Sequence, residues 1–181
     1  MKETPSQLPI QSYVMNFPHT FSTNDPNNIW MKEMSNEELQ INRPKAYKQF
    51  MDLYNFIAGQ SLVHLLPAEG NFQDLIYVAN LGLQLPHICD KNHILLSNYT
   101  SPPRQGEEYV GEKFFNQMGY KTHISPYKWE GEADIKYLSD NVYIGGYGIR
   151  SDIETYKWME ENYNMKVIKV KMVDEYMYHL D

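Results

Sequence analysis

Residues 133–173 read as strand, strand, helix, strand, and the residues before them read the same way again. "ADIKYL" alternates as a strand, "SDN" turns, and "VYIGGYG" returns as a second strand. "SDIETYKWMEENYN" then has helical spacing, with Ile153, Tyr156 or Trp158, and Met159 on one face. Ser151 as N-cap and Glu154 three residues on fit a capping box at its start. "KVIKVKMV" closes the unit as a strand, in a strand-like run that continues to Asp181. In the unit before it, "DLIYVAN" and "HILLSNY" are predicted strands, and "GEEYVGEKFFNQMGY" is a predicted helix stopped by Gly119. "KTHISP" is its closing strand. Asp74 and Asp134 open the two units, about 60 residues apart. Earlier still, "SYVMNF", "RPKAYKQFMDLYNFIAG" and "SLVHLLP" read as strand, helix and strand, a third copy with a long loop in place of one strand.

A repeated supersecondary unit restricts the fold more than composition does. Each copy buries its edges only against neighbours, so a fixed-period repeat argues for a ring or array. The expected class is α/β, built of ββαβ units, and three units leave open edges unless more follow. A mixed α/β sandwich with no true repeat is the alternative.

Composition excludes several function classes. The 181 residues are 42% hydrophobic and 14% aromatic, as in a globular domain with a real core. Net charge is −7 and no dense Lys/Arg run occurs, which argues against nucleic acid. No apolar stretch approaches the length of a membrane span, and "MKETPSQLPIQSY" lacks the apolar core of a secretory signal. A single cysteine, Cys89, permits no internal disulfide, so a cytoplasmic location is expected. Cys89 in "LPHICDKNH" lacks the paired ligand spacing of a zinc site and reads as a small buried residue in a hairpin loop. Gly145, Gly146 and Gly148 have no Lys-Ser/Thr sequel and form no phosphate loop; they are expected to allow close backbone approach near a substrate. No metal and no cofactor are expected.

Six short stretches occur in order: "NNIWM" (27–31), "QDLIYVANLGL" (73–83), "SPPRQGE" (101–107), "WEGEADIKYL" (129–138), "GYGIRSD" (146–152) and "YHLD" (178–181). Together they resemble the pentein, or guanidino-group-modifying, enzymes, which include arginine deiminases and dihydrolases, dimethylarginine hydrolases and amidinotransferases. The resemblance covers essentially the whole chain. It implies an α/β propeller of five ββαβ units, of which about three are present. Residues 1–181 would then be the N-terminal part of the domain, stopping at the His-x-Asp pair before the unit that bears the catalytic cysteine.

The chemistry explains the residue types. A guanidinium is planar, cationic and forked, so carboxylates in its plane hold it by paired charge-assisted hydrogen bonds. Breaking its C–N bond needs a soft nucleophile above the plane and a base that carries protons to the leaving amine. The resemblance implies His179 as that acid/base and Glu130 as the acid that pins the guanidinium and helps the His. "EGEAD" is one residue longer than the commonest form of this motif, so Asp134 remains an alternative for the same part. Asp74 is implied as a contact to the guanidino group or the amino-acid end, and Asn80 as a group orienting the leaving amine or water. Arg150 is implied as the clamp on a substrate carboxylate, next to a helix start, with Arg104 as a second clamp. Asp181, two residues after His179 on a strand, would face the same way and touch the guanidinium or steady the His. Asn28 falls near the substrate-lid motif.

The expected function is therefore the N-terminal part of a hydrolase acting on arginine or a related guanidine through a Cys-linked amidino intermediate. An amidinotransferase, an inactive binding fragment, and one half of a split enzyme completed by a C-terminal partner segment are the alternatives.

Overall fold

A computed structural model describes residues 4–181. It is a mixed α/β fold with three small sheets. β1 (Ser12–Asn16) and β2 (Leu62–Leu66) pair in parallel around the crossover helix α2 (Arg43–Ala58), and the short α1 (Ile29–Glu33) lies in the loop between β1 and α2. β3 (Gly82–Gln84) runs antiparallel to β4 (His93–Leu96). β4 is parallel to β5 (Lys121–Ile124) through α3 (Glu107–Gln117). β6 (Ile135–Ser139) and β7 (Val142–Tyr147) repeat the antiparallel pair, and β7 is parallel to β8 (Lys166–Lys171) through α4 (Ile153–Tyr163). Strand, strand, helix, strand is thus the order of the second and third units. The first has only the parallel pair and its helix.

Local chemistry sets the helix ends. Asn42 Oδ1 accepts from Lys45 N at the start of α2, and Pro44 occupies its first turn. Glu107 and Glu108 lie in the first turn of α3, where the helix dipole favours acids. Gly119, at φ +94°, ends that helix by turning left-handed. α4 begins after Asp152, so Ser151 is not its cap; the Ser151 hydroxyl turns inward to Asp134 instead.

Two apolar clusters hold the units together. Leu85, Leu95, Trp129, Ile135, Tyr143, Tyr156 and Met159 fill one, between the second and third units. Leu66, Leu75, Leu81, Leu96 and Val110 fill the other, between the first and second. This second cluster explains a correction. Residues 74–80 are not a strand: they form a turn and a 3-10 turn at Val78–Leu81, and the strand is Gly82–Gln84. Leu75 and Leu81 are both drawn into the core, while Arg104 Nη2 takes the carbonyls of Asp74 and Tyr77 that a ladder would otherwise use.

The strand-like run at 166–181 likewise stops at Lys171, and Glu175–Met177 is a 3-10 turn. Cys89 does lie between β3 and β4, but exposed rather than buried. Gly145 and Gly146 admit the Tyr156 ring and the side chains of Met172 and Leu180, not a ligand. Among the described residues no helix is long and apolar enough to cross a membrane.

Candidate functional site

A cavity of about 370 Å³ opens where the three units meet. Its floor carries Asp74, Asn80 and Glu130, its wall Arg150, Tyr178 and His179, and the 21–41 loop with α1 covers it. Each polar side chain comes from a turn. Asp74 and Asn80 flank the turn before β3, Glu130 and Asp134 bracket the 3-10 turn Gly131–Ala133, and His179 follows the turn at 175–177.

The two turns touch because residue 131 is glycine. Gly131 has φ +65°, and a Cβ there would stand 2.5 Å from the Asn80 carbonyl carbon. This contact sets Asn80 beside the acids. Leu180 N donates to Ala133 O at 3.0 Å and draws the 178–181 segment onto the same turn.

His179 is the hub. Its Nδ1 lies 2.9 Å from Asp134 Oδ1. Its Nε2 lies 3.3 Å from Asn80 Nδ2 and 3.5 Å from Glu130 Oε2. An ionised carboxylate only accepts, so a neutral imidazole bonded to Asp134 in this geometry would carry its proton on Nδ1 and leave Nε2 toward the cavity. Glu130 and Asp134 are almost wholly buried. The sequence left the two acids as alternatives, and the structure gives them different neighbours. Glu130 receives Arg150 Nη1 at 3.2 and 3.3 Å, and Asp134 holds the His.

Arg150 borders the cavity, yet much of its fork is already engaged. Nη2 donates to Asn27 O at 2.6 Å, and the guanidinium lies 4.8 Å from the centre of the Tyr178 ring. Asp74 Oδ2 accepts from Asn27 Nδ2 at 2.6 Å and from Gln73 Nε2 at 3.1 Å. Burial raises the Asp74 pKa above the usual carboxylate range, opposed by those hydrogen bonds and by the charges of Arg104 and Arg150.

The remaining expected residues fall elsewhere. Arg104 is 4% exposed, and its Nε and Nη2 go to Glu107 and to the carbonyls of Asp74 and Tyr77. Its task in the structure faces inward, holding the Asp74 turn. Asn28 lines the cavity roof and caps α1 through Met31 N. Asp181 is not beside His179. It is exposed, 4.0 Å from Lys136 Nζ, because the segment turns and the two-residue alternation of a strand does not apply.

Sequence reasoning missed Asn27, Ser151, Tyr178 and Glu107. Asn27 is the first residue of the quoted "NNIWM" motif and Tyr178 of the "YHLD" motif, so their positions were within reach. Ser151 and Glu107 fall in "GYGIRSD" and "SPPRQGE", but the local signal at Ser151 pointed to a helix cap and nothing local tied Glu107 to Arg104. The assembled site presents the Asp74 and Glu130 carboxylates and the His179 imidazole to the cavity, with Asp134 behind the imidazole, an arrangement able to hold a planar cation and move a proton beside it.

No protein-family model matches the chain. Among curated proteins, it is 27% identical over 157 residues to the bifunctional arginine dihydrolase/ornithine cyclodeaminase AgrE of Nostoc sp., covering 85% of this chain and 21% of that protein. It is 25% identical over 171 residues to the N(G),N(G)-dimethylarginine dimethylaminohydrolase of Mycobacterium tuberculosis, covering 93% of this chain and 53% of that protein. Among solved structures, the product-bound N-terminal domain of ArgZ, a cyanobacterial arginine dihydrolase, superposes with a TM-score of 0.82 at 26% identity. That match covers 94% of this chain and 60% of the other. The fold also matches dimethylarginine dimethylaminohydrolase from Pseudomonas aeruginosa, with a TM-score of 0.69 at 16% identity, 91% of this chain and 62% of that one. The chain thus spans about a fifth of the bifunctional relatives and about half of the mycobacterial one.

Proposed function

The homologues of this chain are pentein enzymes that act on guanidino groups, and we propose that it is the N-terminal part of such an enzyme, a hydrolase of arginine or a related guanidine. The observation that carries this reading is the placement of His179 between Asp134 and the cavity floor of Asp74, Asn80 and Glu130. A guanidinium entering there meets carboxylates able to pair with its fork, and an imidazole nitrogen able to pass a proton to the departing amine. Asp74 and Glu130 bind the cation, Asn80 orients the leaving amine or water, and His179 is the acid/base. Arg150 and Asn28 contribute from the cavity wall and roof.

The domain reading follows the same line. Residues 1–181 form three units of a five-unit propeller, in keeping with the 60% of the ArgZ domain that the chain matches. The nucleophilic thiolate comes from the part of the domain outside these three units, because Cys89 is exposed and does not line the cavity. These 181 residues by themselves therefore bind a guanidine without cleaving it.

Calorimetric titration with arginine tests the reading. Saturable binding that Asp74→Asn weakens is expected. A folded chain that gives no heat with arginine, N-methylated arginine or a simple guanidine overturns it. Joining the chain to the rest of a pentein domain is expected to give ammonia release from arginine, unchanged by added glycine; a glycine-dependent product would instead make the enzyme an amidinotransferase.

A further inference from the structure

Ser151 lies outside the cavity lining and is 3% exposed, yet its hydroxyl stands between the two acids of the site. Oγ donates to Asp134 Oδ2 at 2.5 Å and accepts from the Glu130 backbone N–H at 3.3 Å. The other Asp134 oxygen, Oδ1, meets His179 Nδ1 at 2.9 Å. A line of hydrogen bonds thus runs from the core through Asp134 to the imidazole that faces the cavity.

We propose that Ser151 is a positioning residue that holds neutral His179 in its Nδ1–H tautomer by fixing the plane of the Asp134 carboxylate. The main chain around both residues is already tied down. Asp134 N donates to Gly131 O at 3.1 Å, and Asp134 O accepts from Gly146 N at 2.8 Å and Tyr156 Oη at 2.9 Å. Ser151 O accepts from Gly148 N at 2.8 Å. The remaining freedom is rotation of the Asp134 side chain about its own bonds. A carboxylate bonded through one oxygen can still swing, whereas one bonded through both cannot without losing a partner. With Oδ2 held by Ser151, Oδ1 stays directed at Nδ1.

The tautomer matters because of what surrounds the other nitrogen. Asn80 Nδ2, at 3.3 Å from Nε2, is a donor and suits a bare Nε2. Glu130 Oε2, at 3.5 Å, suits a protonated one. Arg150 already occupies Glu130 and weakens its claim on the Nε2 proton. Asp134 supplies the bias that leaves Nε2 free to accept, and Ser151 makes that bias geometric. The catalytic meaning of this device rests on the function proposed above; the tautomer itself does not.

Nitrogen-15 NMR of labelled histidines in the 181-residue chain, near pH 8 where imidazole is neutral, reads the tautomer directly. Loss of a signal in His179→Gln identifies it. Wild type is expected as Nδ1–H. Ser151→Ala is expected to shift the Nδ1–H to Nε2–H ratio about tenfold, equivalent to ~1.4 kcal/mol. Ser151→Thr retains the hydroxyl and the wild-type ratio, while Ser151→Val, of the same bulk without it, behaves like Ser151→Ala. Should the last two fail to fold, Ser151→Cys, with a weak donor, is expected to give an intermediate ratio. A wild-type ratio in every variant lacking the hydroxyl, or in Ser151→Cys where only it folds, overturns the proposal, as does an Nε2–H tautomer in wild type. Arginine is titrated into wild type in parallel. Absence of binding there counts against the proposed function and leaves the tautomer result standing.

Discussion

Asp134 Oδ1 and His179 Nδ1 lie 2.9 Å apart although 45 residues separate them in sequence. The bond ties the turn after Glu130 to the segment that carries the imidazole. Asp134→Ala removes the partner of His179 and that of the buried Ser151 hydroxyl together. Each stranded group costs about 1–3 kcal/mol, so a loss of about 2–6 kcal/mol is expected in urea unfolding. Asp134→Asn keeps an acceptor and similar volume, and roughly half that loss is expected. An alanine variant within about 0.5 kcal/mol of wild type would mean that the bond does not hold the segment in place.

The unit order was legible because it rests on local periodicity. The helix from Arg43 to Ala58 and the strands at 12–16, 121–124 and 142–147 follow patterns contained within each segment. What escaped depended on distant partners. Residues 74–80 carry the apolar, β-branched and aromatic run of a buried strand, but Arg104, some 30 residues on, takes two of their carbonyls. Ser151 and Glu154 spell a capping box, but Ser151 has a buried carboxylate to serve instead. The division between Glu130 and Asp134 could not be read from spacing. It is made by Arg150 on one side and His179 on the other. Asp181 was paired with His179 on the assumption of a strand, and the 3-10 turn at 175–177 removed that basis.

Asp74 gives the site an acid limb. Burial raises its pKa above 3.8, so the folded chain holds this proton more readily than the unfolded chain. Its contribution to stability is therefore present at low pH and lost as pH rises through the raised pKa. Guanidinium binding runs the opposite way, because only the ionised carboxylate attracts the cation. Arginine affinity is expected to fall during acidification at a pH above that of an ordinary aspartate. Calorimetric titrations from about pH 7 down to about pH 4 follow this, with Asp74→Asn as the flat, weak control. Affinity at about pH 4 still equal to that at neutral pH would remove Asp74 from the binding contacts.

Gly131 links backbone conformation to the site. Alanine there would adopt φ +65°, costing about 1–2 kcal/mol for a left-handed residue, and its Cβ would press on backbone atoms of Ala79 and Asn80 at 2.5–2.6 Å. These are main-chain atoms, so no side-chain rotation relieves the clash. A total destabilisation of at least ~2 kcal/mol is expected, together with weakened arginine binding as Asn80 moves off His179. Retained affinity in a destabilised Gly131→Ala chain would show that Asn80 does not need its contact with the imidazole.

A histidine pair away from the cavity is expected to contribute to the acid sensitivity of the second unit. His93 Nδ1 and His123 Nε2 lie 3.2 Å apart on the adjacent strands β4 and β5, with ring planes within 6°. One N–H shared between two nitrogens satisfies both rings only while at least one is neutral. The His93 pKa is lowered by burial and by Lys121, partly offset by Asp90; that of His123 is lowered by burial, His93 and Lys121. The unfolded chain thus binds these protons more readily than the folded one. Stability is complete above about pH 6.5 and is lost as pH falls through 6.5 toward the lowered values. A melting temperature that drops between about pH 7.5 and about pH 5.5 is expected, and His123→Asn should flatten that drop by removing one of the two protonations. An equally steep drop in the variant would assign the acid sensitivity to other groups.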